Sequence, residues 1–299
     1  MKKSLFMLGA AIVALSSCTQ DEVLNVNENR VISFESHVNK NTRAVTETTA
    51  DLKQFFVFGY YGTTPVSVFE NVAVADDVET TVLWTAASDY YFAAYATANT
   101  SVKKNNVTFA EGKLTFADYA VTDTEDLVAA VTPKIDNSSM TQSTVDLDFK
   151  HMLSKVAFEL TNGSSNYKMR VADITFDVNT KGKCVYDGTN VVWSEWSTPA
   201  ALTYAGATID ETEKYSVEHL VIPTAIPGDL KVNISVEFLD GANVVSQKTF
   251  NNVELAKTVT DWLPGTVYKY TAAINATTAN ITFNVKTVAG WANGADTTL

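Results

Sequence analysis

The 299-residue sequence contains little cysteine, histidine, glycine or proline, with two Cys, three His, 13 Gly and six Pro. So few thiols and imidazoles leave little material for a multi-ligand metal site, and we expect no metal and no other cofactor. Basic residues are also scarce, because 22 Lys and Arg face 34 Asp and Glu and give a formal net charge of −12. Phosphates repel a chain this acidic, so we do not expect a nucleic-acid partner.

The residues that are abundant favour β-structure. Hydrophobic residues make up 46% of the chain, which is enough to build a core, and Thr and Val together account for 75 of the 299 residues. These β-branched side chains lose rotamers in helices and pack well on pleated surfaces. Short strand-like segments recur at near-regular spacing with no long helical period, and the length exceeds one typical domain. The sequence therefore predicts an all-β protein made of two β-sandwiches in tandem.

The N-terminus has the order of a secretory signal. Lys2 and Lys3 precede the almost wholly apolar residues 5–15, a stretch too short to span a membrane as a mature helix. The sequence Leu15-Ser16-Ser17-Cys18 resembles the bacterial lipobox, where a signal peptidase cleaves before a cysteine that receives lipid. We therefore predict a signal peptide over residues 1–17 and lipidation of Cys18. The alternative is an ordinary signal with a chance cysteine. Cys184, the remaining thiol, is expected to pack as a small buried hydrophobe.

The first strand of the body is predicted over residues 31–38. Ile32, Phe34 and Val38 lie on one face of this alternating segment, and Glu35 and His37 lie on the other. A polar stretch, residues 39–51, follows.

Two segments further along the chain are also predicted to be strands. Residues 145–160 are predicted to form one long strand near a domain junction at about 135–160. Residues 280–288 form a last alternating strand, whose apolar face holds Ile281, Phe283, Val285 and Val288.

Several spaced features together resemble the fimbrillin family of Bacteroidetes, the subunits of type V pili. The matching features, in chain order, are the lipobox at Cys18, Val31-Ile32-Ser33-Phe34, Asn41-Thr42-Arg43-Ala44, Leu52-Lys53-Gln54-Phe55-Phe56-Val57-Phe58-Gly59-Tyr60, Phe149-Lys150-His151-Met152-Leu153-Ser154-Lys155-Val156, Trp262-Leu263-Pro264-Gly265, Tyr268-Lys269-Tyr270 and Val288-Ala289-Gly290-Trp291.

The resemblance implies an assembly mechanism. Such a protein has two transthyretin-like, Greek-key sandwich domains, which here would span residues 44–145 and 146–299. It is exported as a lipoprotein to the outer membrane and the cell surface, and an Arg-specific protease then cuts it. Arg43 and Ala44 match the cleavage site, so the lipidated tether and first strand, residues 18–43, would be lost.

The emptied groove is then filled by a strand of another pilin subunit, for which residues 280–291 are the candidate. The mature protein would thus be a non-enzymatic fimbrial subunit that serves adhesion.

The sequence is also compatible with other interpretations. Cleavage at Arg30 would leave the first strand in place, and the C-terminal strand could instead stay within its own domain. A monomeric surface lipoprotein could bind glycans on Trp84, Trp193 or Trp196, with Glu195 beside the last two. His151 and His219, flanked by strand residues, are expected to be structural imidazoles. No residue pattern recommends a hydrolase.

Overall fold

The computed structural model of the chain describes residues 30–38, 52–75, 78–97, 103–122, 125–139, 144–210, 213–226, 230–255 and 259–289. These residues contain no helix, and therefore none long and apolar enough to cross a membrane. Their strands are β1 (Ser33–Val38), β2 (Gln54–Tyr61), β3 (Val66–Ala75), β4 (Asp89–Thr97), β5 (Val107–Ala110), β6 (Lys113–Ala120), β7 (Leu127–Val131), β8 (Ile135–Asp136), β9 (Thr144–His151), β10 (Ser154–Asn162), β11 (Lys168–Val178), β12 (Lys181–Tyr186), β13 (Val191–Ser194), β14 (Ala200–Ile209), β15 (Lys214–Val221), β16 (Lys231–Asp240), β17 (Asn243–Glu254), β18 (Thr266–Ile274) and β19 (Asn284–Ala289).

A seven-stranded sheet forms the first part of the fold. Its strand order is β1-β9-β7-β4-β2-β3, and β8 pairs with β4 beside this path. Both faces of the sheet carry buried side chains. Phe55, Val57 and Phe92 belong to one core, and Phe56 and Tyr95 belong to the other. Burial on both faces explains why β2 is a continuous apolar run rather than an alternating one.

A four-stranded sheet in the order β13-β12-β6-β5 covers one face of the seven-stranded sheet. It joins two distant parts of the chain, because β12 pairs antiparallel with β6. Phe116 and Cys184 of this sheet are buried in the same core as Tyr95 of β4. The predicted junction between residues 145 and 146 falls within β9, and the β12–β13 hairpin of the predicted second segment packs with the first.

The remaining described residues form two facing four-stranded sheets. Their strand orders are β15-β10-β18-β19 and β14-β11-β16-β17. A single core lies between them, in which Phe158, Tyr204 and Tyr270 are fully buried. The prediction of an all-β protein is therefore confirmed.

The long strand predicted over residues 145–160 is divided, so that prediction is wrong. The chain leaves the seven-stranded sheet after His151 and enters the β15-β10-β18-β19 sheet at Ser154. Backbone bonds hold the crossing point, since Met152 N–H donates to Leu127 O at 2.8 Å and Gly265 N–H donates to Leu153 O at 2.8 Å. The crossing is apolar because Met152 and Leu153 are buried in the core that also holds Tyr95 and Cys184.

Candidate functional site

Strand β1 lies at one edge of the seven-stranded sheet. It pairs in parallel with β9 from Ser33 opposite Thr144 to Val38 opposite Phe149, and β9 is its single partner strand among the described residues. The chain just before it is also held, because Ile32 N–H donates to Val82 O at 2.7 Å. Edge strands offer one free row of backbone groups, and β1 does not separate two other strands of its sheet.

The inner face of β1 completes one core of the seven-stranded sheet. Phe34 is fully buried, and its ring makes edge contacts with Phe55, Phe69 and Phe92 at centroid distances of 6.2, 5.4 and 5.6 Å. Ile32, Ser36 and Val38 are buried on the same face. We call the space that these four side chains occupy beside β9 the β1 slot. The predicted inward positions of Ile32, Phe34 and Val38 thus agree with the structure.

The outer face of β1 and β9 is polar and carries mostly negative charge. Glu35 lies opposite Asp146 in the register, and His37 lies opposite Asp148. The His37 Nε2 atom is 3.2 Å from Glu35 Oε1 and 3.7 Å from Asp146 Oδ1, so this imidazole sits between two carboxylates. Lys150 of β9 forms an ion pair with Asp148, with Nζ 2.8 Å from Oδ2.

Sequence reasoning missed these partners of β1 on β9. The signal was present, since Val145, Leu147 and Phe149 alternate with polar residues, but alternation does not reveal which strand pairs with which.

The C-terminal strand β19 also lies at a sheet edge. It pairs antiparallel with β18 and begins at Asn284, four residues later than predicted. The segment before it is packed without strand pairing. Phe283 is 3% exposed and its ring meets those of Phe158 and Tyr270 at 5.4 and 6.2 Å. Ile281 and Val285 are partly buried against the same core.

A groove borders the segment that leads into β19. It has a volume of ≈ 550 Å³ and lies between β17 and residues 279–283, with Phe250, Leu255 and Ile281 in its wall. The segment is therefore backed by the core on one side and open on another. The strand that follows this segment, β19, is bonded to a single strand, β18.

Not all predicted site residues fall in the described part of the chain. Cys18, Arg43 and Ala44 lie outside it. Val288 belongs to β19 and registers opposite Val267. The chain has three arginines. The Arg30 carbonyl accepts a 3.0 Å hydrogen bond from Trp84 N–H. Arg170 of β11 donates a hydrogen bond to Glu237 of β16, with Nε 2.7 Å from Oε2.

The aromatic residues considered for glycan stacking are mostly core residues. Trp84 is 3% exposed and Trp193 is 8% exposed, and the Trp193 indole N–H donates to Met152 O at 2.9 Å. These two side chains therefore offer no platform to a sugar ring. Trp196 is 40% exposed, and neighbouring Glu195 pairs with Lys183 at 2.9 Å.

His151, His219 and Cys184 are packed among other residues of the fold. His151 is 2% exposed and its Nδ1 atom lies 2.7 Å from Asp126 Oδ2, while His219 packs against the Tyr204 ring at 4.2 Å. Cys184 is fully buried, and burial raises the pKa of its thiol well above the usual range. Within the described ranges no three His, Cys, Asp or Glu residues are grouped so that they could hold a metal ion.

The fold and the site define an all-β protein whose first and last described strands are both edge strands with a single partner strand. The family model described as fimbrillin-like matches residues 42–291, and the chain belongs to this family. Family membership supports a role as a fimbrial subunit or adhesin, which is structural rather than enzymatic.

Solved structures share this fold. A fimbrial protein from Bacteroides vulgatus is 17% identical, with 87% of this chain and 99% of that chain covered and a TM-score of 0.58. A candidate cell adhesion protein from Bacteroides uniformis is 18% identical, with 87% and 98% covered and a TM-score of 0.52. No curated protein sequence matches the chain significantly.

Proposed function

We propose that this chain is a pilus subunit of the bacterial cell surface, exported as a lipoprotein on Cys18 and polymerised by protease-triggered strand exchange. Cleavage between Arg43 and Ala44 separates β1 from the rest of the chain. The C-terminal segment of another subunit, residues 280–291, then takes the place of β1. The fibre that results serves adhesion. The observation that carries this proposal is the position of β1, an edge strand whose inner face completes the core.

The choice of Arg43 is supported by the surroundings of the other two arginines. The Arg30 carbonyl accepts a hydrogen bond from Trp84 N–H. Arg170 lies in β11, an interior strand between β14 and β16. Proteases bind extended backbone whose hydrogen-bonding groups are free, so both positions are poor substrates in the folded protein. Arg43 follows β1, and a cut there releases the whole strand.

Burial explains why β1 does not leave before cleavage. Ile32, Phe34 and Val38 are at most 5% exposed, and burying three such side chains at about 1.5–3 kcal/mol each contributes roughly 5–9 kcal/mol before entropy. While β1 is covalently attached, its effective concentration at the slot is high. Cleavage turns β1 into a separate peptide. The C-terminal strand of another subunit can then replace it where subunits are concentrated.

The C-terminal segment carries a matching apolar face. Phe283 is buried at home, and Ile281 and Val285 are partly buried. Transfer to another subunit therefore exchanges one apolar environment for another, and the burial that each side chain loses at home is regained in the slot. The backbone bonds lost along β18 are replaced by bonds along β9.

The test uses purified precursor and an Arg-specific protease. We expect a mature chain that begins at Ala44 and forms ladders on unheated denaturing gels. Arg43→Ala should remain intact and monomeric, whereas the matched control Arg30→Ala should be trimmed and polymerise like the wild type. A trimmed chain that starts at Ala44 and stays monomeric at high concentration contradicts the proposal.

A further inference from the structure

Two segments at opposite ends of the chain have nearly the same pattern. Residues 31–39 read Val-Ile-Ser-Phe-Glu-Ser-His-Val-Asn, and residues 280–288 read Asn-Ile-Thr-Phe-Asn-Val-Lys-Thr-Val. With Phe34 aligned to Phe283, an isoleucine lies two residues before each phenylalanine and a hydroxyl residue lies between them. A basic side chain follows three residues after each phenylalanine, His37 in one segment and Lys286 in the other.

We propose that the C-terminal segment enters the β1 slot of a second copy of this chain in one direction and one register. It runs parallel to β9, as β1 does, with Phe283 in the place of Phe34 and Lys286 in the place of His37. The inference rests on the proposed strand exchange and specifies its geometry.

The aromatic pocket limits the register. Phe34 contacts three aromatic rings and is fully buried, so the pocket is shaped for an aromatic side chain. Residues 280–288 hold one aromatic residue, Phe283. A shift by two residues would put Ile281 or Val285 into this pocket and leave space that no neighbour fills. In the proposed register Ile281 takes the place of Ile32, Val285 takes the place of the buried Ser36, and Thr287 takes the place of Val38.

The polar face distinguishes the two possible directions. A reversed strand could still place Phe283 in the pocket, but Lys286 would then lie near the position of Val31, beyond the Ser33–Thr144 end of the register. In the parallel direction Lys286 lies opposite Asp148 with Asp146 beside it. Asn284 replaces Glu35 opposite Asp146 and so removes a pair of facing carboxylates.

A hydroxyl pair supports the same alignment. Ser33 Oγ lies 3.0 Å from Thr144 Oγ1 across the β1–β9 pair. In the proposed register Thr282 takes the place of Ser33 and presents its hydroxyl to Thr144. Cross-strand threonine and serine pairs of this kind stabilise adjacent strands.

The home position of β19 is less favourable for Lys286. In the β18–β19 pair Lys286 lies directly opposite Lys269, and like charges that face each other across strands are destabilising. After transfer, the neighbours of Lys286 are the carboxylates of Asp146 and Asp148 instead of Lys269. Asp148 also pairs with Lys150. Exposed pairs contribute little free energy, so these charges select direction and register while apolar burial supplies the affinity.

Cysteine crosslinking tests the register. Donor and acceptor variants of the precursor, each with one introduced cysteine, are mixed, trimmed with the Arg-specific protease and oxidised, and the disulfides are located by mass spectrometry. Trimming removes Cys18, and Cys184 is buried, so background crosslinking is low. Residues that face each other on adjacent strands are close enough for a disulfide. We expect intermolecular bonds for Asn284→Cys with Asp146→Cys and for Lys286→Cys with Asp148→Cys.

The matched control is Thr282→Cys with Asp146→Cys, which should remain unlinked. A bond in this control, together with one between Asn284→Cys and Thr144→Cys, would show a reversed strand and overturn the proposed direction. Ladders without the 284–146 and 286–148 bonds would overturn the register while strand exchange itself stands. The absence of ladders from correctly trimmed chains would contradict both proposals.

Discussion

Replacing Phe34 by alanine should destabilise the precursor and leave the mature fibre unchanged. The side chain is fully buried in the precursor but belongs to residues 18–43, which the proposed cleavage removes. Its effect should therefore disappear on maturation. Few substitutions in a protein core are expected to behave in this way, because most core residues are needed both before and after assembly.

The expected magnitude follows from the packing of the ring. Truncating a buried phenylalanine to alanine costs about 3–5 kcal/mol through lost burial and the cavity that remains. Phe34 makes three edge contacts with centroids 5.4 to 6.2 Å apart, and such contacts add to the burial term, so the upper half of that range is expected. The sandwich formed by the β15-β10-β18-β19 and β14-β11-β16-β17 sheets should remain folded, since its core does not contain Phe34.

The assay is urea unfolding of the precursor and heat resistance of the trimmed polymer. Glu35→Gln is the matched control, because this exposed neighbour on the same strand should change stability by about 0.5 kcal/mol or less. Polymers of the Phe34→Ala protein that melt earlier than wild-type polymers would show that β1 is retained. A precursor of unchanged stability would show that Phe34 does not pack as described.

Three further predictions concern other parts of the chain. Phe283→Ala should weaken both the precursor and the polymer, as judged by urea midpoints and gel ladders, whereas the exposed control Asn284→Ala should assemble normally. The Cys184 thiol should react with a thiol reagent only as fast as the protein unfolds, because burial shields it and raises its pKa; rapid labelling of native protein would contradict this. Burial raises the pKa values of Tyr186, Tyr215 and Tyr270 from the ordinary 10.0 to about 12. The contribution of these phenols to the free energy of unfolding is therefore fully present below pH 10, and it is lost as the pH rises toward about 12. Urea midpoints across this interval should fall, and a flat profile would show that these phenols are not buried.

The strand character of the protein could be predicted from the sequence because it depends on local chemistry. Ile32, Phe34 and Val38 alternate with polar residues, and alternation assigns each side chain to a face regardless of which strand lies beside it. The same argument predicted that Phe283 would point inward, although the regular strand begins only at Asn284.

Strand partners could not be predicted in this way. Residues 145–160 contain no glycine, proline or turn sequence near Met152, so the sequence shows no boundary there, yet the chain moves from one sheet to another. The crossing depends on bonds to Leu127 and Gly265, which are distant along the chain. The pairing of β12 with β6 is a contact of the same long-range kind.

The burial of the tryptophans could not be predicted from the sequence either. Trp193 and Trp196 flank Glu195, and the sequence alone does not separate a surface platform from a core. The structure buries Trp193 and exposes Trp196, because β13 turns its Trp193 face toward Met152 and ends at Ser194. Burial of this kind is decided by the sheet that lies opposite.

Amide hydrogen exchange along β9 tests the occupancy of the β1 slot most directly. In the precursor, the amides of Val145–Phe149 that face β1 should be protected, since β1 is their hydrogen-bonding neighbour at the sheet edge. Trimmed monomers kept dilute should lose this protection, and fibres should regain it. Fibres in which β9 exchanges as fast as in the trimmed monomer would contradict the account.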